Sequence, residues 1–276
     1  MASTSTMLLD RSGPHAVAQR VIGQAWRNGA ARASERALPE EVPVAFCYGG
    51  TTHAVLMATP DDLEDFALGF SRTEGIICSV ADLADLTVEQ AHEGIELRMW
   101  LTRTPSDAFA ARRRRHVGPT GCGMCGLESL AEANRSLPVV ASSFRVSRQQ
   151  IEAAVAALPQ GQILNTATRA VHAAALWQPR KDLLVREDVG RHNALDKLAG
   201  ALLQRRWSAA CGIIVLSSRI SIELVQKASM MGAPIVVAVS APTVFAIRAA
   251  EAAGITLVGI ARADGFEVFT HPQRVT

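Results

Sequence analysis

The hexapeptide Gly121-Cys122-Gly123-Met124-Cys125-Gly126 sets two thiols three positions apart in a glycine-rich stretch. The thiolate is the form of cysteine that attacks sulfur or binds metal, and nearby cations lower the pKa that controls its supply. A basic run, Arg112-Arg113-Arg114-Arg115-His116, precedes the pair and would provide such cations if the loop folds back, although a solvated basic loop explains it equally well. Gly121, Gly123 and Gly126 permit unusual backbone angles and close approach of a substrate.

Several chemistries use such a pair. A closed structural zinc site needs two more ligands, and the chain has no second Cys-x-x-Cys. Zinc nucleobase deaminases carry His-x-Glu followed by Pro-Cys-x-x-Cys. None of the seven histidines here has a glutamate two positions later, and Gly121 stands where proline is needed, so that chemistry is disfavoured. A thioredoxin-like pair belongs beside a βαβ pattern, whereas this one follows a long basic loop. On spacing alone the pair reads as a reactive thiol site, with metal and redox roles both open.

A second set of candidates needs a scaffold to bring it together. From residue 182 onward the pattern alternates: strand at 183–185, helix at 193–204, strand at 211–216, helix at 221–231, strand at 235–239, helix at 243–253, strand at 256–260, and a final strand at 266–270. This predicts an α/β domain with a mostly parallel sheet covered by helices. Loops after the carboxyl ends of parallel strands share one edge, the usual ligand site of open α/β sheets. Four such loops are polar: Glu187-Asp188-Val189-Gly190-Arg191-His192-Asn193, Ser217-Ser218-Arg219, Ser240-Ala241-Pro242-Thr243 and Ala261-Arg262-Ala263-Asp264-Gly265. Hydroxyls, arginines and helix N-terminal amides on one edge suit phosphate groups, so a nucleotide or phosphorylated cofactor is the expected ligand. Capping alone explains Asn193, Ser217, Ser221 or Thr243 taken singly, but not Arg219 or Arg262.

The first half mixes strands with helices. Residues 42–48 and 51–58 read as a hairpin joined by Gly49-Gly50. Thr59-Pro60-Asp61-Asp62 predicts a helix start capped by Thr59, running to about Thr73 and ended by Gly75. Residues 94–101 alternate as a half-buried strand, 127–135 suggest a short helix, and Ser147 with Gln150 forms a capping box for a helix to Leu158. The expected division is an extended lead-in with a short strand (1–41), an N-terminal α+β portion carrying the cysteine pair (42–145) and an α/β cofactor-binding domain (146–276).

With 276 residues, 49% of them hydrophobic, the chain can bury a full core. A net charge of +2 is too small for a general nucleic-acid binder. No apolar run reaches membrane-spanning length and Met1–Arg11 lacks the pattern of a secretory leader, so the expected location is the cytoplasm, with no membrane partner. Five cysteines, an odd count, argue against a disulfide framework. Cys47 and Cys211 lie in apolar runs and are expected to be buried, with burial also favoured for Cys78.

These pieces together resemble the formate dehydrogenase accessory sulfurtransferase family, FdhD. The resemblance rests on Thr52-His53-Ala54-Val55-Leu56-Met57-Ala58-Thr59-Pro60, Phe66-Ala67-Leu68-Gly69-Phe70 with Glu74-Gly75-Ile76-Ile77, the cysteine hexapeptide, Glu187 through Lys197, Ser217-Ser218-Arg219 and Thr270-His271-Pro272. It implies a persulfide carrier that takes sulfur from a cysteine desulfurase to the molybdenum cofactor, bis-molybdopterin guanine dinucleotide, for the formate dehydrogenase catalytic subunit. Guanine nucleotide would be a partial mimic of that client. Carried over by position, Cys122 bears the persulfide and Cys125 acts as resolving or alternative acceptor. The cofactor segment falls on Ile260, Ala261, Arg262, Ala263, Asp264 and Gly265, alongside Ser218, Arg219 and His192 from the polar loops. The resemblance also implies a cytidine deaminase-like three-layer α/β/α fold, a homodimer and no resident metal. The competing readings are a non-catalytic cofactor chaperone and a zinc- or iron-binding protein.

Overall fold

A computed structural model describes residues 16–103, 105–106 and 137–276. The chain begins with β1 (Ala18–Arg27) and β2 (Ala30–Pro39), paired antiparallel as a two-stranded ribbon. This corrects the expected extended lead-in. Asn28 and Gly29 both take positive φ, 51° and 77°, the geometry of the tight turn that Asn-Gly favours between strands.

β3 (Val42–Tyr48) and β4 (Thr51–Ala58) form the expected hairpin. They join β5 (Leu83–Ala91) and β6 (Gly94–Leu101) in a four-stranded sheet of order β4-β3-β6-β5. β6 alternates as predicted, burying Ile95, Leu97 and Met99, whereas β5 has too little apolar patterning to have been read. Helix α1 (Leu63–Thr73) covers this sheet through Phe66, edge-on to Phe46, and Phe70, whose tilted ring lies 4.1 Å from that of Phe46. Its end at Gly75, φ 68°, is as expected. Its start is not: Asp62 occupies the cap position in a left-handed conformation with no side-chain cap bond. Thr59 is fully buried, and its hydroxyl accepts from the Val189 amide instead. A long-range tie has taken the group that local capping would have used.

The second sheet is built from β7 (His172–Trp177), β8 (Leu184–Asp188), β9 (Ile213–Leu216), β10 (Ile235–Ala238), β11 (Thr256–Arg262) and β12 (Gly265–Val268), in the order β12-β11-β10-β9-β7-β8. Only β9, β10 and β11 pair in parallel, and the β7/β8, β7/β9 and β11/β12 pairs are antiparallel. The sheet is therefore mixed, not mostly parallel. The unread strand β7, a run of alanines between His172 and Trp177, is the cause, because it enters between β8 and β9. Two antiparallel steps return β8 to the direction of β9, so the carboxyl ends of β8, β9, β10 and β11 still share one edge.

Helices lie on both faces. α2 (Arg148–Gly161), opened by the expected Ser147–Gln150 capping box, runs three residues past Leu158 with Pro159 in its last turn. It buries Ile151, Ala154 and Leu158 against Ile213, Val215, Ile235 and Val237, and the short α3 (Ile163–Thr168) follows it. The opposite face, carrying Ala174, Ile214, Leu216 and Val236, is covered by α4 (Arg191–Arg205), α5 (Ile222–Met230) and α6 (Val244–Ala253). Successive strand residues thus serve opposite cores. α1 crosses α4 where a Cβ on Gly69 would sit 1.6 Å from the Asp196 carbonyl oxygen and one on Gly200 1.8 Å from that of Asp65. Only glycine allows this approach. Among the described residues no helix is long and apolar enough to cross a membrane.

Candidate functional site

Cys122, Cys125 and the Arg112–His116 run lie outside the described residues. The remaining three cysteines are free thiols: Cys47 is buried as expected, whereas Cys78 and Cys211 are exposed, against expectation. Cys78 follows the last buried residue of its run, and Cys211 ends a short 3-10 turn before β9 begins.

The four polar loops do converge. The Ser217 amide donates to the Ala173 carbonyl and its hydroxyl accepts from the Ala173 amide at 2.8 Å, fixing the loop after β9 to the start of β7. Ile220 forms a parallel bridge with Pro242, and the Ile260 amide donates to the Ser240 carbonyl at 3.2 Å. Loops after β9, β10 and β11 are thereby fastened side by side. Thr243 caps α6 by accepting from the Ala246 amide, as capping predicts.

On the α2 side of this edge lies a cavity of about 430 Å³ lined by Ser217, Val239, Ala261 and Arg262 of the sheet and by Gln162 and Asn165 of α3. Within the predicted cofactor segment, Ala261 is buried, Arg262, Ala263 and Asp264 are exposed, and Gly265 turns the chain into β12 with φ 145°. Ile260 has φ 53°, a left-handed conformation that is strained for a β-branched residue. It falls at a register shift between Gly259 and Arg262, a bulge that re-aims the following side chains. Such local strain is commonly held at functional sites.

The α4 and α5 side of the edge is built differently. Neither Gly190 nor Ser221, the residues before these helices, makes a side-chain cap bond, and in α5 the Glu223 carboxylate accepts from its own backbone amide and from the Ser221 hydroxyl instead. His192 Nε2 lies 3.4 Å from Ser221 Oγ and 3.8 Å from a Glu223 oxygen. Burial, then the Arg191 and Lys227 charges, push its pKa down to about 4, so the ring is neutral near pH 7. His172 is lowered too, by burial first and then by Arg191. Among the described residues, the buried Arg191 Nε and Glu223 Oε2 atoms have no hydrogen-bond partner. Arg219 is exposed, while Ser218 is buried and donates its hydroxyl to the Arg219 carbonyl, which shapes the loop from within. The predicted residues thus divide into a cavity group around Ala261 and Arg262 and a rim group around His192 and Arg219.

Much of the charged 186–192 segment is committed to the fold. Arg186 donates to Asp65 at 2.6 and 2.8 Å. Glu187 accepts from the Leu164 and Asn165 amides and so caps α3, while burial raises its pKa. Asp188 accepts from the Thr59 and Gly190 amides and from Asn193, and pairs with Lys197. Sequence reasoning reads this segment as a ligand loop or a solvated one, because nothing local shows that Arg186 and Asp188 have partners more than a hundred residues away. It missed Gln162, Asn165 and His172 for a related reason: α3 and β7 had not been read as elements. Among the described residues no three His, Cys, Asp or Glu side chains are grouped as metal ligands.

Comparison with known proteins is consistent across sequence and fold. A protein named sulfur carrier protein FdhD from Agrobacterium fabrum is 51% identical over 259 residues, covering 93% of this chain and 96% of that one. One of the same name from Brucella abortus is 47% identical over 244 residues, covering 88% and 91%. A crystal structure from Desulfotalea psychrophila, described as a formate dehydrogenase accessory protein, shares the fold with a TM-score of 0.73 at 21% identity, over 94% of this chain and all of that one. The sequence model of the FdhD/NarQ family matches residues 39–276, and the chain belongs to that family.

Proposed function

We propose that this chain is a cytoplasmic sulfur carrier for formate dehydrogenase, acting as a sulfurtransferase that takes persulfide sulfur from a cysteine desulfurase to bis-molybdopterin guanine dinucleotide. The observation that carries the reading is the Cys122-x-x-Cys125 pair in a chain about half identical, over nearly its whole length, to a protein named as a sulfur carrier. In the first step the Cys122 thiolate attacks the outer sulfur of the donor's persulfide. A new persulfide forms on Cys122 and the donor cysteine leaves as a thiolate. Attack by Cys125 on the inner sulfur then releases hydrosulfide and leaves a Cys122–Cys125 disulfide, which a cellular thiol reductant reopens.

The molybdenum cofactor enters as substrate. Its guanine dinucleotide end suits the polar sheet edge, where Arg219 and Arg262 are exposed cations and the α4 N-terminus lacks a side-chain cap. The same reading makes the three-layer domain a cytidine deaminase-like scaffold without the zinc motif, and the working form a homodimer that docks on the formate dehydrogenase catalytic subunit.

Mass spectrometry of the intact protein after incubation with a cysteine desulfurase and free cysteine tests the relay. A gain of one sulfur atom that reductant removes is expected in the wild type and in Cys125→Ala, and is lost in Cys122→Ala. Absence of the gain in Cys125→Ala, where no second thiol discharges the persulfide, sinks the relay, and stoichiometric zinc on the cysteine pair would favour the metal-binding reading.

A further inference from the structure

The β1–β2 ribbon stands apart from both large sheets. Its residue pairs run from Ala18 and Pro39 to Arg27 and Ala30 without a bulge, and among the described residues each strand has only the other as a strand partner. The root is fixed: Val17 and Ala18 pack with Leu164 and Val171, and the Glu40 amide donates to the Val17 carbonyl at 2.9 Å. Beyond the root, β1 is exposed at every position except Ala25, with Ile22 81% and Trp26 70% exposed. A two-stranded ribbon by itself is at best marginally stable in water, and an open strand edge offers its backbone groups to another strand.

The two edges are not alike. β2 carries Arg32, Glu35 and Arg36 and ends on Pro39, the charges and proline that keep an edge from pairing. β1 has no charge from Val21 to Trp26, no proline and no bulge. It is also compatible with itself. Antiparallel pairing of two β1 strands about a two-fold axis at Gly23 sets Arg20 opposite the partner's Trp26, Val21 opposite the partner's Ala25 and Arg27 opposite the partner's Gln19, so like charges never face each other. An arginine against an indole ring is a favourable contact, and even a Cβ on Gly23 meets nothing within 4 Å. The resulting sheet would have the two bare strands inside and the two protected strands outside, so the assembly closes at two copies.

We propose that β1 is the dimerisation strand of this chain, its free edge occupied by β1 of a second copy in one antiparallel four-stranded sheet. The assignment rests on the proposed function for the homodimer and names the surface that makes it. Because the ribbon is rooted on Val171, which also lines the edge cavity, the shared sheet ties together the polar edges of the two copies.

Light scattering on the full chain, combined with cysteine cross-linking, tests it. The wild type is expected at twice the chain mass at micromolar concentration. Under mild oxidation Gly23→Cys should form a disulfide between the two introduced thiols, identified by peptide mass spectrometry, because opposed antiparallel residues have Cα atoms about 4.5–5.5 Å apart, within disulfide reach. Gln19→Cys should not, because about 27 Å would separate its two copies. Trp26→Arg, which sets arginine against arginine at both ends of the pairing, should weaken the dimer by about ten-fold or more, and adding Arg20→Glu should restore most of the loss. A monomeric wild type overturns the proposal together with the homodimer of the proposed function. A dimer in which Gly23→Cys links no better than Gln19→Cys overturns the proposal alone: the copies then meet elsewhere, and a different protein is left to cover β1.

Discussion

Asp188 and Lys197 form an ion pair of 2.7 Å in which neither side chain reaches solvent. Lys197 also donates to the Thr59 carbonyl at 2.8 Å, and Asp188 accepts from the Thr59 amide at 3.0 Å. One buried pair on the α/β side therefore holds both backbone groups of a residue at the end of β4. The charged motif that looks from sequence like a ligand loop is, at these two positions, the joint between the first sheet and the second.

Breaking one half of that joint leaves an uncompensated buried charge. Lys197→Met is expected to cost about 3–5 kcal/mol, read as a lower urea midpoint at unchanged slope. Adding Asp188→Asn should recover part of the loss, because the remaining side chain is neutral and can still accept from the Thr59 amide. A Lys197→Met protein as stable as the wild type would show that the pair is dispensable.

The crossing of α1 over α4 makes a sharper demand. Gly69→Ala puts a methyl group 1.6 Å from the Asp196 carbonyl oxygen and Gly200→Ala puts one 1.8 Å from that of Asp65, both against backbone that cannot swing away. Overpacking of this kind typically costs about 1–3 kcal/mol and can cost more. Either change should lower the thermal midpoint, and the two together should fall short of the sum, since they push the same two helices apart. A Gly23→Ala control, where a Cβ meets nothing within 4 Å, should leave the midpoint nearly unchanged.

What could be read without coordinates follows from how local its cause is. The Ser147–Gln150 capping box, the Gly49-Gly50 hairpin and the amphipathic α1 are written within a few residues each, and all were legible. The Asn28-Gly29 turn was equally local and went unread because the strands around it carry no alternating pattern. β7 was hidden differently: His-Ala-Ala-Ala-Leu-Trp has little strand signal, and its place between β8 and β9 is set by the hydrophobic cores on both faces. That one strand turned an expected parallel sheet into a mixed one, yet left the polar edge where the pattern put it. Gln162 and Asn165 could be found only from the cavity, since a glutamine and an asparagine in a helical stretch carry no motif.

Acid should find the rim histidine. Burial and its cationic neighbours hold the His192 ring at about 4 in the fold, against the ordinary imidazole value of 6.5, so between those pH values the unfolded chain takes up a proton that the folded chain refuses. Stability therefore falls as pH drops from about 6.5 to about 4, by up to about 1.4 kcal/mol per pH unit for a single group, and this contribution levels off below. His172 is displaced in the same direction and adds to the trend. His192→Gln should flatten the dependence of the urea midpoint between pH 6.5 and 4.5. An unchanged profile would mean that the ring titrates normally.

The two exposed arginines of the edge sit in different company, and their loss should differ accordingly. Arg262 shares a cavity with Gln162 and Asn165, whereas Arg219 stands on the rim near His172, close enough for its charge to lower that ring's pKa. If the guanine nucleotide spans cavity and rim, Arg262→Ala and Arg219→Ala should each weaken GDP binding by about 10–100-fold, the worth of a hydrogen bond to a charged group. Both should also reduce the salt dependence of the affinity, because each removes a screened charge from the contact. A loss confined to Arg262→Ala would place the whole ligand on the α2 side and leave the rim without a role in phosphate binding. Unchanged affinity in both variants would remove this edge as the binding site for the nucleotide.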